Sequence, residues 1–288
     1  MPKTVVSLVI MKAHVNRIIE FSNVDGPGNR MAIFFQKCPF KCLYCHNPET
    51  INHCINCGEC VKTCPVGALE MIEGKVIWHK DKCVNCDTCI HTCKNLASPK
   101  IDMLSVDDIL ERIIYEKDFI QGITVSGGEC MESAEFITEL FKEVKKLGLT
   151  CFTDSNGFYL FEDYPELLKY MDYCMLDVKA YDNGFHKVLC GRDNTNVLRN
   201  LKYLQDINKL YEVRTVILKD HKEENEKTVR EVVKHLNPDI RYKLIKYRPF
   251  GVRDEGLEIL GHSITDDEEI ERLKKIATDL GHRNIIIV

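Results

Sequence analysis

The sequence lacks a long apolar run and an excess of basic residues. No stretch of about 18 residues is both uncharged and apolar enough to cross a membrane. The net charge of -5 and the pI of about 6.1 give no electrostatic reason to bind nucleic acid or an anionic membrane. We therefore expect neither nucleic acid nor a membrane as a partner.

The amino terminus lacks a complete export signal. Lys3 precedes an apolar run at residues 5–11, but no small-residue cleavage site follows that run. Two interpretations stay open: a short buried strand, or residues that lie ahead of a true start at Met11.

Cysteine, in contrast, is abundant, and its distribution argues against a disulfide framework. The chain has 15 cysteines in 288 residues, whereas disulfide-rich scaffolds are short chains that lack a core. Eleven of the 15 fall between Cys38 and Cys93 in closely spaced groups, as metal ligands do. We therefore expect a reducing, cytoplasmic location, with Cys151, Cys174 and Cys190 as free buried thiols.

Strand and helix patterns alternate along most of the chain. The predicted strands are residues 31–35, 122–126, 149–154, 173–178, 212–218 and 242–247, with a last apolar run at 284–288. Such alternation indicates a parallel sheet with helical crossovers. About six β/α units are too few for a closed eight-stranded barrel, so we predict an α/β fold, an open partial (β/α)6 TIM-like barrel. Its functional groups should lie at the carboxyl ends of the strands.

Three helices carry recognisable signals. The helix after Ser133 has an apolar face formed by Ile137, Leu140, Phe141, Val144 and Leu147, and Gly148 stands where a cap belongs. Thr265 and Glu268 form a T-x-x-E pattern before a helix whose Ile270, Leu273, Ile276 and Leu280 should face inward, with Gly281 after it. Ser105 and Asp108 form a similar pattern.

Residues 51–98 differ from the rest and contain an internal repeat. The spacing C-x2-C-x2-C-x3-C occurs twice, displaced by 29 residues. It is the bacterial ferredoxin pattern, in which the fourth cysteine of each motif binds the other cluster. One 4Fe-4S cluster would take Cys54, Cys57, Cys60 and Cys93, and the other would take Cys83, Cys86, Cys89 and Cys64. The alternative is a pair of structural zinc sites. We predict a ferredoxin-like insert at 51–98 within a barrel domain formed by 1–50 and 99–288.

Cys38, Cys42 and Cys45 form a site of another kind, with C-x3-C-x2-C spacing after the first predicted strand. A 4Fe-4S cluster held by three thiolates leaves one iron free to bind a substrate or cofactor. The motif, with Tyr44 before its last cysteine, resembles the signature of the radical S-adenosylmethionine superfamily. The resemblance implies that the methionine moiety of S-adenosylmethionine chelates the open iron, and that one electron cleaves the cofactor to a 5'-deoxyadenosyl radical.

Further motifs are similar to those of glycyl-radical-enzyme activating enzymes, the family that includes pyruvate formate-lyase activase. Gly127, Gly128 and Glu129 resemble the G-G-E motif, which in the superfamily meets the methionine amino group; Cys130 follows as a packing variant. The similarity also covers residues 21–50, including the run 25–28 and Arg30. The residues that the resemblance assigns to cofactor binding are Tyr44, Gly127, Gly128, Glu129, Asp154, Ser155, Asp177, Lys179 and Arg214.

Charge supports this assignment. A zwitterionic cofactor with a carboxylate, an amine and a sulfonium needs both a cation such as Lys179 and carboxylates such as Asp154 and Asp177. The resemblance also implies that the two aspartates can hold a monovalent cation. Where the family often has a histidine, this chain has Arg248 and Arg253, and arginine cannot titrate.

The resemblance implies an anaerobic activase that removes a hydrogen atom from a glycine of a partner glycyl radical enzyme. We expect three 4Fe-4S clusters, S-adenosylmethionine, flavodoxin or ferredoxin as electron donor, and a monomer. Two alternatives remain: a radical enzyme that acts on a peptide or small molecule, and a non-catalytic iron-sulfur electron carrier. The absence of cysteines after Cys190 counts against the first, and the three-cysteine motif and G-G-E count against the second.

Overall fold

The computed structural model describes residues 11–288. Its strands are β1 (Lys12–Ser22), β2 (Arg30–Phe35), β3 (Leu69–Ile72), β4 (Lys75–Trp78), β5 (Asp102–Ser105), β6 (Gly122–Gly127), β7 (Thr150–Ser155), β8 (Tyr173–Asp177), β9 (Leu210–Ile217), β10 (Arg241–Lys246) and β11 (Ile285–Ile287). Its helices are α1 (Glu59–Thr63), α2 (Thr88–Thr92), α3 (Val106–Glu116), α4 (Ala134–Lys146), α5 (Pro165–Tyr170), α6 (Asn183–Cys190), α7 (Thr195–Asp206), α8 (Lys222–His235), α9 (Asp254–Leu260) and α10 (Asp267–Asp279). The apolar run at 5–11 lies, apart from Met11, outside the described residues.

The main sheet has the order β11-β10-β9-β8-β7-β6-β2-β1-β5. Strands β2 and β6 to β11 are parallel along this order, whereas β1 pairs antiparallel with β2 and β5 pairs antiparallel with β1. Because the order begins at β11 and ends at β5, the sheet is open. The predicted open α/β barrel with six β/α units is therefore confirmed.

The sequence patterns did not reveal β1 and β5. The register of β1 against β2 shifts between Val15 and Arg17 and again between Ile19 and Ser22. Each irregularity breaks the period of two on which strand prediction relies. Strand β5 has only four residues, Asp102–Ser105, which is too short to show a period.

The sheet and its helices share one large core. On α4 the predicted residues Ile137, Leu140, Phe141 and Val144 are buried against strand residues such as Val125. Gly148 follows that helix with φ of +75°, a conformation that favours glycine. The apolar face predicted for α4 is thus confirmed. Among the helices described between residues 11 and 288, none is both long and apolar enough to cross a bilayer.

One predicted capping box is confirmed and the other is wrong. The Ser105 side chain accepts a hydrogen bond from Asp108 N, and the Asp108 side chain accepts one from Ser105 N. In contrast, Thr265 Oγ1 donates to the Ile217 carbonyl at 2.5 Å, and α10 begins at Asp267 without a side-chain cap. A tertiary bond to the end of β9 has replaced the local one. Leu280, predicted to face inward, is 43% exposed.

Residues 51–98 contain two one-turn helices, α1 and α2, and the antiparallel hairpin β3–β4. Buried Cys60, Leu69 and Cys89 form a separate small hydrophobic cluster. The side chain of Gln36, at the end of β2, donates to the carbonyls of Glu49 and Asn52 at 2.7 and 2.6 Å. This glutamine therefore connects the barrel to the segment that enters residues 51–98.

Candidate metal and cofactor site

The loop after β2 carries Cys38, Cys42 and Cys45 at the carboxyl edge of the sheet. Backbone bonds hold it from two sides. Lys37 N and Cys38 N donate to the carbonyls of Thr50 and Ile51 at 2.8 and 3.0 Å, and Leu43 N donates to the Leu189 carbonyl at 2.8 Å. Cys42 is buried, and Cys38 and Cys45 are half-buried. The loop therefore presents three thiols from a fixed backbone.

The three thiols differ in their surroundings. Asn156 Nδ2 donates to Cys38 Sγ at 3.4 Å. A hydrogen bond with Cys190 lowers the pKa of Cys42 despite its burial, whereas burial raises the pKa of Cys45 to about 12. Cluster binding must displace the protons of such buried thiols. Cys151, Cys174 and Cys190, which were predicted to be free buried thiols rather than cluster ligands, are buried as expected.

Gly127 and Gly128 lie where only glycine fits. A Cβ added to Gly127 would lie 2.2 Å from Phe35 N, and one added to Gly128 would lie 2.3 Å from the Lys37 carbonyl oxygen. Gly128 N donates to the Phe35 carbonyl at 2.9 Å. The end of β6 is thus in direct backbone contact with the cysteine loop, which brings the G-G-E motif to the three thiols.

The carboxylate of Glu129 is occupied by the protein itself. It is 1% exposed and accepts from Ser155 Oγ at 2.8 Å, Asn156 N at 2.7 Å and Met131 N at 3.1 Å. Burial raises its pKa to about 7, against these hydrogen bonds. Glu129 therefore joins the ends of β6 and β7. The Ser155 hydroxyl is directed to Glu129, on the strand face opposite to Asp154.

Four predicted charged residues form two ion pairs on the inner face of the sheet. Arg214 Nη1 lies 2.8 Å from Asp154 Oδ2, and Lys179 Nζ lies 2.8 Å from Asp177 Oδ2. Asp177 pairs with Arg214 in the register of β8 and β9. Burial raises the pKa of Asp154, although Arg214 opposes that shift. The structure thus brings these four residues together at adjacent strand ends.

Glu212 is a buried carboxylate that the sequence patterns missed. It is 1% exposed and lies 2.6 Å from Arg214 Nε, 2.9 Å from Arg241 Nε and 2.9 Å from Lys243 Nζ. It fixes one side of the Arg214 guanidinium while Asp154 holds the other. The sequence signal that could have revealed Glu212 was its position two residues before Arg214, on the same face of the strand.

Tyr44 has a polar group without a partner. The residue is 6% exposed, and its hydroxyl is buried with no hydrogen-bond partner in the described structure. Lys179 Nζ lies 5.8 Å from the ring centroid. A buried orphan hydroxyl is costly unless a ligand pairs with it. Tyr44 and the ion pairs therefore fit a polar, charged cofactor beside the three thiols.

Of the two candidate arginines, Arg253 reaches the cysteine loop. Its Nη2 donates to the carbonyls of Cys42 and Lys41 at 3.2 and 3.4 Å. Arg248 has an exposed side chain and contributes its backbone carbonyl to His46 Nε2 at 2.9 Å. Arg253 therefore supports the backbone that carries Cys42.

The repeated cysteines line two cavities in the crossed arrangement that the spacing predicts. Cys54, Cys57, Cys60 and Cys93 line a cavity of about 310 Å³, and Cys64, Cys83, Cys86 and Cys89 line another. Equivalent backbone positions also recur, since Asn56 and Asn85 have φ of +58° and +54°. Within residues 11–288, no three His, Cys, Asp or Glu side chains converge closely enough to hold a single metal ion. Cubane ligation does not require that, because each thiolate binds a different iron.

A family model described as the radical SAM superfamily matches residues 32–236. The chain belongs to the radical SAM superfamily. This family implies a 4Fe-4S cluster and S-adenosylmethionine, and it confirms the resemblance inferred from the three-cysteine and G-G-E motifs.

Curated relatives place this radical SAM protein among the activating enzymes. It is 31% identical to the trans-4-hydroxy-L-proline dehydratase activating enzyme of Clostridioides difficile, over 86% of this chain and 91% of the relative. It is 29% identical to the choline trimethylamine-lyase activating enzyme of Oleidesulfovibrio alaskensis, over 93% of this chain and 95% of that relative.

Solved structures of low identity show the same fold. The Escherichia coli QueE structure matches with a TM-score of 0.53 at 13% identity, covering 96% of this chain and 94% of QueE. Streptococcus suis SuiB bound to its precursor peptide SuiA matches with a TM-score of 0.56 at 14% identity, covering 88% of this chain and 47% of SuiB.

Proposed function

We propose that this radical SAM protein activates a glycyl radical enzyme. The observation that carries the proposal is the three-cysteine loop in backbone contact with Gly127 and Gly128, beside the half-buried ion pairs Asp154–Arg214 and Asp177–Lys179. When bound, the cluster and S-adenosylmethionine supply the 5'-deoxyadenosyl radical that takes a hydrogen atom from a glycine of the partner. Relatives at about 30% identity carry activating-enzyme names.

The roles of the chain's own residues follow from their positions. Cys38, Cys42 and Cys45 hold the cluster, and Arg253 and the backbone of Ile51 hold the loop. Lys179 and Arg214 offer cations to the cofactor carboxylate, while Asp154 and Asp177 offer carboxylates to its amine and ribose. The Tyr44 hydroxyl supplies one further hydrogen bond. These aspartates, on neighbouring strands, can also hold a monovalent cation.

The eight cysteines that line the two cavities of residues 51–98 would hold two further 4Fe-4S clusters, in a ferredoxin-like insert between barrel segments 1–50 and 99–288. The support is the separate hydrophobic cluster of this segment and the crossed grouping of its eight cysteines. We assign these clusters to electron delivery from reduced flavodoxin or ferredoxin. The protein acts as a monomer in a reducing cytoplasm.

Modification of a free peptide is the second candidate, because SuiB, whose structure holds a precursor peptide, shares the fold. The curated activating-enzyme relatives favour activation of a glycyl radical enzyme over modification of a free peptide. A non-catalytic electron carrier would not need the two half-buried ion pairs of the barrel.

The decisive experiment reconstitutes the iron-sulfur protein under anaerobic conditions and reduces it with dithionite. Release of 5'-deoxyadenosine from S-adenosylmethionine is expected, and its absence would leave only the carrier. Addition of a candidate glycyl radical enzyme should then produce a glycyl radical signal by electron paramagnetic resonance. Cofactor cleavage without that signal from any candidate glycyl radical enzyme would support the peptide or small-molecule alternative.

A further inference from the structure

A cavity of about 650 Å³ lies between the barrel and residues 51–98. Arg17 and Ile19 of β1, Phe34 of β2 and Gly127 of β6 line its barrel side. Trp78 and Ile90 belong to its other side. An occupant of this cavity therefore contacts both parts of the chain at once.

The strand register connects the cavity to the cofactor site. Arg17 pairs with Phe34, and Phe34 pairs with Ser126, so these side chains form a row on one face of the sheet. Ser126 Oγ donates to Asp154 Oδ2 at 3.3 Å, and Asp154 contacts Arg214. A segment seated in the cavity can therefore extend along this row toward the reacting centre.

The lining suits a polypeptide. Asn16, Asn47 and Asn85 line the cavity, and an amide side chain can pair with either the N–H or the C=O of a peptide group. Trp78 and Ile90 add apolar surface beside these amides. The charged residues of the lining include the Lys100–Asp87 pair, with 2.5 Å between Nζ and Oδ1. Aromatic and apolar contacts surrounded by polar groups are typical of protein interfaces.

We propose that this cavity binds the glycine-bearing segment of the partner enzyme, and that the insert forms one wall of the binding groove. The inference rests on the proposed function, which supplies the partner. It gives the insert a task in recognition that is separate from electron delivery. The volume of the cavity, about 650 Å³, lies within the range of about 300–1,000 Å³ that is typical of ligand pockets.

Two variants test the two walls. Ile19→Trp fills the cavity from the barrel, and Trp78→Ala removes apolar surface from the insert, with Trp78→Phe as the conservative variant. Ile114→Trp, at a 46% exposed position on α3, is the matched control for an added indole. The probe is the glycyl radical enzyme that is used to test the proposed function. Two quantities are measured. One is the KM for the partner enzyme, obtained from the glycyl radical signal, and the other is the rate of dithionite-driven cofactor cleavage in the absence of the partner.

Ile19→Trp and Trp78→Ala should each raise the KM for the partner about tenfold, while Ile114→Trp and Trp78→Phe leave it unchanged. In Ile19→Trp, the amount of bound iron and the rate of cofactor cleavage in the absence of the partner should both equal those of the unaltered protein. If Trp78→Ala loses iron, the comparison of the KM of Ile19→Trp with that of Ile114→Trp decides whether the cavity binds the partner. An unchanged KM in Ile19→Trp overturns the groove while the activase proposal stands. Failure of the unaltered protein to form the glycyl radical instead overturns the proposed function.

Cross-linking locates the segment directly. A peptide copied from the partner's glycine segment, with benzoylphenylalanine beside the glycine, is irradiated with the reconstituted protein, and adducts are mapped by mass spectrometry. Adducts within residues 16–19 and 78–90 support the groove. Adducts confined to other surfaces contradict it.

Discussion

The three-cysteine loop and the insert hold their cysteines in contrasting surroundings. Beside Cys38, Cys42 and Cys45 lie two half-buried ion pairs and the unpartnered Tyr44 hydroxyl. The insert cysteines are surrounded mainly by turns and by a small apolar cluster. A reacting centre needs charged groups that are oriented before the reaction. Electron transfer needs only a cluster whose reduction potential is suitable.

The two regions also differ in what supports them. The barrel positions its ion pairs on adjacent strands packed over a large core. The insert has a core of a few side chains, so cluster binding should contribute much of its folding free energy. Four substitutions test this contrast, and their expected effects run from loss of cofactor cleavage to a small loss of stability.

The largest effect is expected from Cys42→Ala. Loss of one of three thiolates should abolish cofactor cleavage, because the loop has no ligand to spare, while about eight iron atoms remain in the insert. Iron analysis and 5'-deoxyadenosine release measure the two outcomes. Cys151→Ala, at a buried thiol away from the loop, is the control and should retain cleavage. Retained cleavage in Cys42→Ala would contradict the assignment.

Glu212→Leu should cost about 3–5 kcal/mol of unfolding free energy, because it leaves three cations near one another without their buried carboxylate. Urea unfolding monitored by circular dichroism gives the value. Glu226→Gln is the control, since Glu226 also contacts two arginines, at 2.7 and 2.5 Å, but is 32% exposed. These two ion pairs, which are more exposed to solvent than those of Glu212, should contribute only about 0–1 kcal/mol. Equal losses in both variants would show that burial is not the cause.

Cys57→Ala should separate the two regions functionally. Dithionite reduces the barrel cluster directly, so dithionite-driven cleavage should remain. Turnover with reduced flavodoxin should fall by about an order of magnitude, because an insert cluster is damaged. Lys75→Ala, in the same insert and exposed, serves as control. Unchanged flavodoxin-driven rates would remove the insert from the electron route.

Gln36→Leu should weaken the connection between the regions. Gln36 is 3% exposed and donates to two carbonyls at the entrance of the insert. Leaving those acceptors unpaired should cost about 1–3 kcal/mol, measured by urea unfolding. Gln205→Leu removes a similar pair of bonds at an exposed site and should cost about 0.5 kcal/mol or less. Equal costs would show that the barrel does not hold the insert through Gln36.

Much of the fold could be predicted because its signals are local. The parallel strands are short apolar runs, and the face of α4 repeats every three to four residues. The errors have tertiary causes. Thr265 forms a capping pattern with Glu268, yet its hydroxyl donates to the Ile217 carbonyl instead. Bulges in β1 hide its alternation.

The sequence alone determined the chemistry of the ligands, because thiolate number and spacing decide which cluster a loop can hold and whether an iron stays open. The tertiary structure decided what surrounds those ligands. Glu212, Arg241 and Lys243 come together because β9 and β10 are parallel neighbours in register. The cavity between Arg17 and Trp78 exists because the insert packs beside β1. Neither contact leaves a local signal, because each joins residues that are distant along the chain.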